Sequence, residues 1–147
     1  MFIVFDLDDT LADTTHRQHI LEQKGFTSES EKWNAFFEAC DKDSPKTEII
    51  ELLDLLDFAS HRVEIWTGRS NRVRDKTEAW LEKHLNNFED CELRMRADGD
   101  YRPDTEVKAD WIKQYGKPDL VFDDRNKVVT WWREQGITCC QVKESDF

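Results

Sequence analysis

The feature that most constrains the fold is the stretch formed by the first eleven residues, MFIVFDLDDTL. Residues 1–5 are apolar and rich in β-branched and aromatic side chains, which predicts a buried strand. Polar residues follow at once, and in open α/β sheets ligands bind beyond the carboxyl ends of the strands. If the backbone stays extended for two more residues, Asp6 and Asp8 point to the same side. Two such carboxylates repel unless a cation or a shared proton lies between them. The alternative is a strand followed by an ordinary acidic turn.

Hydrophobic periodicity predicts that strands alternate with helices along the rest of the chain. Further strands are predicted at 62–66, around 93–95, at 119–122 and at 137–142. Helices are predicted at 11–25, after a capping box at 28–31, at 46–58, from 71 to about 85, from a cap at Asp104 to 115, and at 126–135. This order predicts an α/β fold with a mostly parallel sheet and helices on both faces. The stretch 12–44 is too long for one crossover, and we expect it to form a small helical cap inserted after the first strand.

Three predicted strands end in residues that suit chemistry. Asp6 and Asp8 follow the first, Thr67-Gly68-Arg69 ends the second, and Asp123-Asp124 ends a third. Because the carboxyl ends of parallel strands lie on one edge of the sheet, these residues should converge. Four carboxylates there suit a hard divalent cation, and Mg²⁺ with retained waters fits a few carboxylates plus a phosphate.

The same residue types can transfer a phosphoryl group. An Asp can attack phosphorus and form an aspartyl-phosphate, and a second carboxylate two residues on can act as acid and then as base. The Thr67 hydroxyl, the backbone N–H of Gly68 and a lysine would hold the phosphoryl oxygens. Lys108 is the candidate lysine, although its local sequence on its own favours an ordinary solvated side chain.

Composition limits the remaining choices. The 147 residues suit one domain, and no apolar run is long enough to cross a membrane. No secretory signal is expected, and the four cysteines lack zinc-type spacing, so we expect reduced thiols in the cytoplasm. A formal net charge of -11 argues against clamping long nucleic acid through a general positive field, but it leaves room for a local basic pocket.

The order and placement of these motifs resemble the haloacid dehalogenase (HAD) superfamily of phosphatases. The run 6–11 resembles its first motif, and Thr67-Gly68-Arg69, Lys108 and Asp123-Asp124 fall where the other three belong. Within the superfamily, the chain is most similar to the 3′-phosphatase domain of bacteriophage-type polynucleotide kinase/phosphatase. That similarity is densest over 122–147 and includes Arg17, eleven residues after Asp6.

The resemblance implies a role for each motif residue. Asp6 would be the nucleophile and a metal ligand, and Asp8 the general acid/base that also lends its backbone carbonyl to Mg²⁺. Asp123 and Asp124 would complete the metal site, one of them through water. Residues expected to hold phosphate or substrate are Thr67, Gly68, Lys108, Arg69, Arg17 at the mouth of the site and Asp104 as a supporting group.

The resemblance leaves several functions open. The first is removal of 3′-phosphates from nucleic-acid ends, with a separate polynucleotide kinase or ligase as a candidate partner, because these 147 residues lack a Walker A motif. Others are hydrolysis of free nucleotides, hydrolysis of a phosphoprotein, and a non-catalytic binding module. His16 and His19 could bind metal but suit it less well than the carboxylates. Trp33, Phe36 and Phe37 fit a core face of a cap helix better than a surface for nucleobase stacking.

Overall fold

The structure is a computed structural model that describes residues 1–146; Phe147, which belongs to the stretch of densest resemblance, lies outside the described residues. In chain order the strands are β1 Phe2–Phe5, β2 Ala12–Asp13, β3 Ser44–Pro45, β4 Arg62–Ser70, β5 Glu92–Arg96, β6 Leu120–Arg125 and β7 Thr138–Ser145. The α-helices are α1 His19–Glu22, α2 Glu29–Glu38, α3 Thr47–Phe58, α4 Arg74–His84, α5 Asp104–Tyr115 and α6 Asn126–Glu134.

The apolar run at the start of the chain forms the central strand of a five-stranded sheet. The strand order is β5-β4-β1-β6-β7, and every pairing is parallel. Phe5 of β1 pairs with Ile65 of β4 on one side and with Phe122 of β6 on the other. Asp6 therefore leaves the sheet between the ends of its two neighbours.

Helices cover both faces of this sheet, as predicted. Alternate residues of β1 enter two separate cores, because successive side chains of a strand point to opposite faces. Ile3 and Phe5 pack with residues of α3 and α4, including Leu53. Val4 packs with residues of α5 and α6, including Trp132. The α/β fold with a mostly parallel sheet is confirmed. Among the described residues, no helix is both long and apolar enough to cross a membrane.

The predicted helix over 11–25 is wrong. The backbone N–H groups of Thr10, Leu11 and Ala12 all donate to the carbonyl of Leu7, which makes a tight turn in place of a helical ladder. Ala12–Asp13 then forms β2, which pairs with β3. A 3₁₀ turn at Thr15–Arg17 and the four-residue helix α1 follow. A tertiary strand pairing thus overrides the local helical pattern.

The stretch between β2 and β3 contains α1 and α2. The ribbon of β2 and β3 brings the two ends of this stretch together beside the end of β1. Helix α2 begins as the capping box predicts, since Ser28 Oγ accepts from the Glu31 N–H at 3.2 Å. The Glu31 carboxylate, however, accepts from the backbone N–H of Thr27 at 2.6 Å, one residue earlier than the motif requires.

All four cysteines are unpaired. Cys139 is buried and Cys140 is exposed, as expected for neighbours on a strand.

Candidate active site

The predicted strand-end residues converge at the carboxyl edge of the sheet. Asp6 follows the central strand, Thr67-Gly68-Arg69 forms the end of β4, and Asp123-Asp124 forms the end of β6. Asp6, Asp8, Thr67, Gly68 and Arg69 all line one cavity of about 220 Å³. The strands run further than predicted on both sides of Asp6, and register shifts near Thr67 and Asp123 mark where the extra residues lie.

Three carboxylates form a buried cluster. One oxygen from each of Asp6, Asp123 and Asp124 lies within 4.8 Å of the others. Burial, reinforced by Asp123 and Asp124, raises the pKa of Asp6, although Lys108 opposes this. Burial, followed by the charges of Asp123 and Asp9, raises the pKa of Asp124 to about 7. A divalent cation would relieve this repulsion.

Among the three carboxylates, Asp124 is the one whose oxygens lack hydrogen-bond donors in the described part of the chain. Both of its carboxylate oxygens are buried, and neither accepts a well-formed hydrogen bond within residues 1–146. The Ser145 hydroxyl is close enough to favour its charged form slightly, yet that contact falls outside hydrogen-bond geometry. Asp123 is better supported, because it accepts from the indole N–H of Trp132 at 3.1 Å and from its own neighbour's backbone N–H at 2.9 Å. The donor set therefore fits a hard cation that Asp124 would contact.

Lys108 lies at the centre of the site. Its side chain is only 2% exposed, and Nζ donates to Asp6 and to Asp123 at 2.9 Å each. Although burial disfavours the charged amine, Asp123 and Asp6 together raise the pKa of Lys108. A solvated lysine, which its local sequence allowed, is therefore wrong. Helix α5 carries Lys108 one turn after its start, so the helix delivers the ammonium group to the strand ends.

Asp8 is held by two buried arginines. Arg17 Nη2 donates to Asp8 Oδ1 at 2.7 Å, and Arg69 Nη2 donates to the same oxygen. Although burial disfavours the charge, Arg69 and then Arg17 keep the pKa of Asp8 well below its usual range. Both arginines also donate to Asp43, at 2.7 Å from Arg17 and 3.2 Å from Arg69.

The two arginines differ in access. Arg69 lines the cavity although it is only 1% exposed, and its buried Nε–H has no partner among the described residues. Arg17 does not lie at the mouth, where we expected it. Its side chain is completely buried, and its guanidinium lies 4.2 Å from the centre of the Phe36 ring. Its direct contact with substrate stays a prediction; in the structure it acts on Asp8.

Asp104 supports the site but does not cap its helix. Its carboxylate accepts from Arg96 and from Arg125, and it lies against Gly68. A Cβ at Gly68 would lie 2.8 Å from Asp104 Cγ and closer still to Oδ1, so this position requires glycine. Although burial opposes it, Arg125 and then Lys108 lower the pKa of Asp104.

Sequence reasoning missed Asp43, Arg96 and the contact of Trp132 with Asp123. Asp43 was not among the predicted site residues, but its side chain is fully buried against Arg17 and also accepts from His16 at 2.7 Å. A buried arginine requires a carboxylate partner, yet only the fold shows which one. Arg96 could have been found, because it ends β5 at the same edge as the other strand-end residues. His16 contacts Asp43 and His19 is exposed; neither belongs to the carboxylate cluster.

Comparisons with known proteins agree with this fold. The sequence profile of the family described as the polynucleotide kinase PNKP phosphatase domain matches residues 1–147. Two structures of the Pnkp1/Rnl/Hen1 complex, one described as an RNA repair complex, are similar to 99% of this chain. Their identities are 27% and 28%, and their TM-scores are 0.75 and 0.72.

The chain spans less than half of each of those proteins, 43% and 47%. A class C acid phosphatase from Bacillus anthracis, with tungstate bound, is 19% identical over 99% of this chain and 67% of its own, with a TM-score of 0.65. A haloacid dehalogenase-like hydrolase from Streptococcus pneumoniae is 16% identical over 95% of this chain and 82% of its own, with a TM-score of 0.63. At these identities the last two similarities show the shared fold alone.

Proposed function

Because the chain belongs to the family of polynucleotide kinase PNKP phosphatase domains, within the haloacid dehalogenase superfamily of phosphatases, we propose that it removes 3′-phosphates from nucleic-acid ends in a Mg²⁺-dependent reaction through an aspartyl-phosphate. The observation that carries this proposal is the single buried arrangement of Asp6, Lys108 and Asp123 at the end of the central strand. It supplies a nucleophile and a metal-site carboxylate that both accept from one fixed positive charge, with an oxygen of each within 4.8 Å of the other.

Asp6 is the nucleophile in this proposal. Lys108 orients the Asp6 carboxylate and opposes the rise in its pKa by donating to Oδ1, which leaves Oδ2 without a hydrogen bond to the lysine. Attack on phosphorus forms the Asp6 O–P bond and breaks the bond to the sugar oxygen. Thr67 and the backbone N–H of Gly68 line the cavity beside Asp6, where they would hold the phosphoryl oxygens. A water then cleaves the O–P bond and releases inorganic phosphate.

Asp6, Asp123 and Asp124, with the backbone carbonyl of Asp8, would hold the Mg²⁺ ion. The bound ion would neutralise the charge of the transferring phosphoryl group and of the carboxylate cluster. The buried, unpaired oxygens of Asp124 favour it as a direct ligand. Asp123, whose oxygens already accept from Lys108 and Trp132, is better placed to act through water.

Asp8 serves as the acid/base group. Its two arginine partners hold it as a carboxylate, which suits the second step, where it removes a proton from the attacking water. The same contacts oppose protonation, so the acid role in the first step requires substrate to weaken at least one of them. Arg69 is the partner that lines the cavity, which makes it the one that substrate would engage.

The cap and the partners follow from the same reasoning. Residues 12–44 would form a cap that excludes water and contacts the leaving group, because α2 lines the cavity together with Asp6.

The similar structures belong to an RNA repair complex, so we propose that this chain acts on broken ends with a separate polynucleotide kinase or ligase. Its charge of -11 also favours small substrates, which makes free nucleotides the second candidate.

A substrate panel tests the proposal. Phosphate release in Mg²⁺ should be compared for 3′-phosphorylated oligonucleotides, 5′-phosphorylated oligonucleotides, mononucleotides and phosphopeptides. The 3′-phosphorylated oligonucleotide should have the highest kcat/KM. Equal rates on the mononucleotide would support the second candidate, and a preference for the phosphopeptide would refute both.

A further inference from the structure

The cavity above the carboxylates is larger than phosphoryl transfer requires. A site for one water needs roughly 10–15 Å³, so about 220 Å³ exceeds the needs of a phosphoryl group and its waters several times. The extra space extends away from the strand ends, between α2 of the stretch 12–44 and the loop 97–103 that follows β5. Whatever carries the phosphate in the substrate would occupy this space.

Aromatic rings line this extra space. Trp33 and Phe37 lie one turn apart on α2, and their ring centres are 5.8 Å apart. All three rings of this face border the cavity, but Trp33 and Phe37 are half-buried, whereas Phe36 is only 1% exposed and packs over Arg17. Phe37 also packs against the core. Phe36 therefore anchors the helix to the core, and its two neighbours keep ring surface available to a ligand. The core role expected for all three from the sequence holds fully for Phe36 only.

The loop 97–103 supplies another aromatic side chain to the same cavity. Tyr101 lines the cavity and is 59% exposed, so core packing does not explain it. The loop that carries it is nevertheless held firmly. Arg96 donates to the backbone carbonyls of Asp100 and Arg102, at 3.1 and 2.6 Å, and to the carbonyl of Gly68 at 2.8 Å. A ring presented on a pre-organised loop loses little entropy when it binds.

The charges at the cavity favour a stacking ligand. Arg69, Arg96, Arg102 and Arg125 line the cavity, but each already contacts a carboxylate. The chain as a whole is strongly acidic, so it cannot attract the substrate through a general positive field. Stacking on aromatic rings needs no net charge and accepts any nucleobase, because every base has a π-face.

We propose that Trp33, Phe37 and Tyr101 form a subsite for the nucleobase of the nucleotide that carries the scissile phosphate. This proposal rests on the proposed function and deepens it. The base lies between α2 and the loop 97–103 while the phosphate reaches Asp6. The preference for nucleotides then comes from stacking and is independent of base identity.

The test compares two oligonucleotides that both end in a 3′-phosphate. One carries a normal base on the terminal nucleotide and the other is abasic there. Wild type should favour the base-carrying end. Trp33→Ala, Phe37→Ala and Tyr101→Ala should each reduce that preference by about 5- to 160-fold, the fold-change that corresponds to roughly 1–3 kcal/mol of base stacking. Trp33→Phe, which keeps a ring, should restore most of the preference.

Two controls make the result interpretable. Phe58→Ala removes a ring that is 89% exposed on α3, away from the cavity, and should leave both rates unchanged. Thermal melting of every variant shows whether it folds, and added salt should change the wild-type preference little, because stacking is uncharged. Oligonucleotides that carry adenine, cytosine or thymine on the terminal nucleotide should lose their 3′-phosphate at similar rates.

The outcomes separate the subsite from the proposed function. If wild type hydrolyses the 3′-phosphorylated oligonucleotides but the ring variants lose activity equally on the normal and the abasic end, the subsite is refuted and the function stands. An equal wild-type rate on the two ends has the same meaning. If wild type fails to hydrolyse either oligonucleotide yet releases phosphate from other phosphomonoesters, the proposed function itself is refuted.

Discussion

Asp43→Asn is expected to be among the most damaging single substitutions outside the carboxylate cluster. Asp43 accepts from Arg17 Nε at 2.8 Å, from Arg17 Nη2 at 2.7 Å and from Arg69 Nη2 at 3.2 Å, and its side chain is fully buried. Two buried guanidinium groups thus share two carboxylates, Asp43 and Asp8. The amide removes one negative charge, and within residues 1–146 it leaves Asp8 as the only carboxylate in contact with both arginines.

The expected loss follows from this geometry. Removing one partner of a buried ion pair costs roughly 3–5 kcal/mol when the other charge is left buried without compensation, and in Asp43→Asn a single carboxylate, Asp8, must compensate two buried guanidinium groups. Single domains have only about 5–15 kcal/mol of stability, so the variant should unfold at a clearly lower denaturant concentration. Turnover should also fall, since Arg17 and Arg69 would no longer hold Asp8 in one position.

Equilibrium denaturation and kcat measurements on the same samples test this reasoning. Asp41→Asn is the matched control, because Asp41 is exposed two residues away and should change neither quantity. A double-mutant cycle with Arg17→Ala should show a coupling of about 0.5–3 kcal/mol between the two positions. A variant with wild-type stability, or purely additive effects in the cycle, would refute the idea that Asp43 balances the buried arginines.

The remaining predictions concern the nucleophile, a close contact, the metal and pH. Asp6→Asn should abolish phosphate release, because the amide cannot form an acyl-phosphate; substantial activity would contradict the covalent mechanism. Gly68→Ala should cost about 1–3 kcal/mol by forcing a Cβ against Asp104, and an unchanged melting curve would argue against that contact. Chelation should stop turnover, and Mg²⁺ should raise the Tm of wild type but not of Asp124→Asn; an equal rise in both would exclude Asp124 as a ligand. Burial tends to raise the pKa of the Glu64 carboxyl, but hydrogen bonds from Arg94, Trp66 and Arg62 outweigh burial and lower it. The ionised Glu64 therefore contributes to the free energy of unfolding fully above its ordinary pKa of 4.5, and this contribution is lost as pH falls below that value. In Glu64→Gln the free energy of unfolding should depend less on pH in this acid range.

Much of the catalytic edge could be predicted because strand ends are a local property of the sequence. The end of each strand is marked in the sequence by a change from apolar to polar residues. This change occurs at Asp6, at Thr67 and at Asp123. One topological rule, that parallel strands end at one edge, then brings them together. Burial of Lys108 could not be read in this way, since its helix places it by packing and its neighbours in sequence give no sign of it.

The stretch 12–44 shows where local patterns mislead. Its first part carries helical periodicity, yet it forms a strand because β3 returns from more than thirty residues away to pair with it. The aromatic residues of α2 share one helical face, but their contacts differ, and only the tertiary structure shows this difference. Phe36 is covered by Arg17 and is only 1% exposed, whereas Trp33 and Phe37 keep part of their ring surface exposed at the cavity.

The sequence by itself determined the α/β fold, the alternation of helices and sheet strands after residue 46, and the places of the carboxylates Asp6, Asp8, Asp123 and Asp124 at or just after strand ends, because each of these depends on residues adjacent in the chain. Tertiary structure alone decided which charges meet. Arg17 reaches Asp8 and Asp43 across 9 and 26 residues, and Lys108 reaches Asp6 across 102. The physical reason is that a buried charge is stable only beside its counter-charge, and the identity of that counter-charge depends on how distant elements pack.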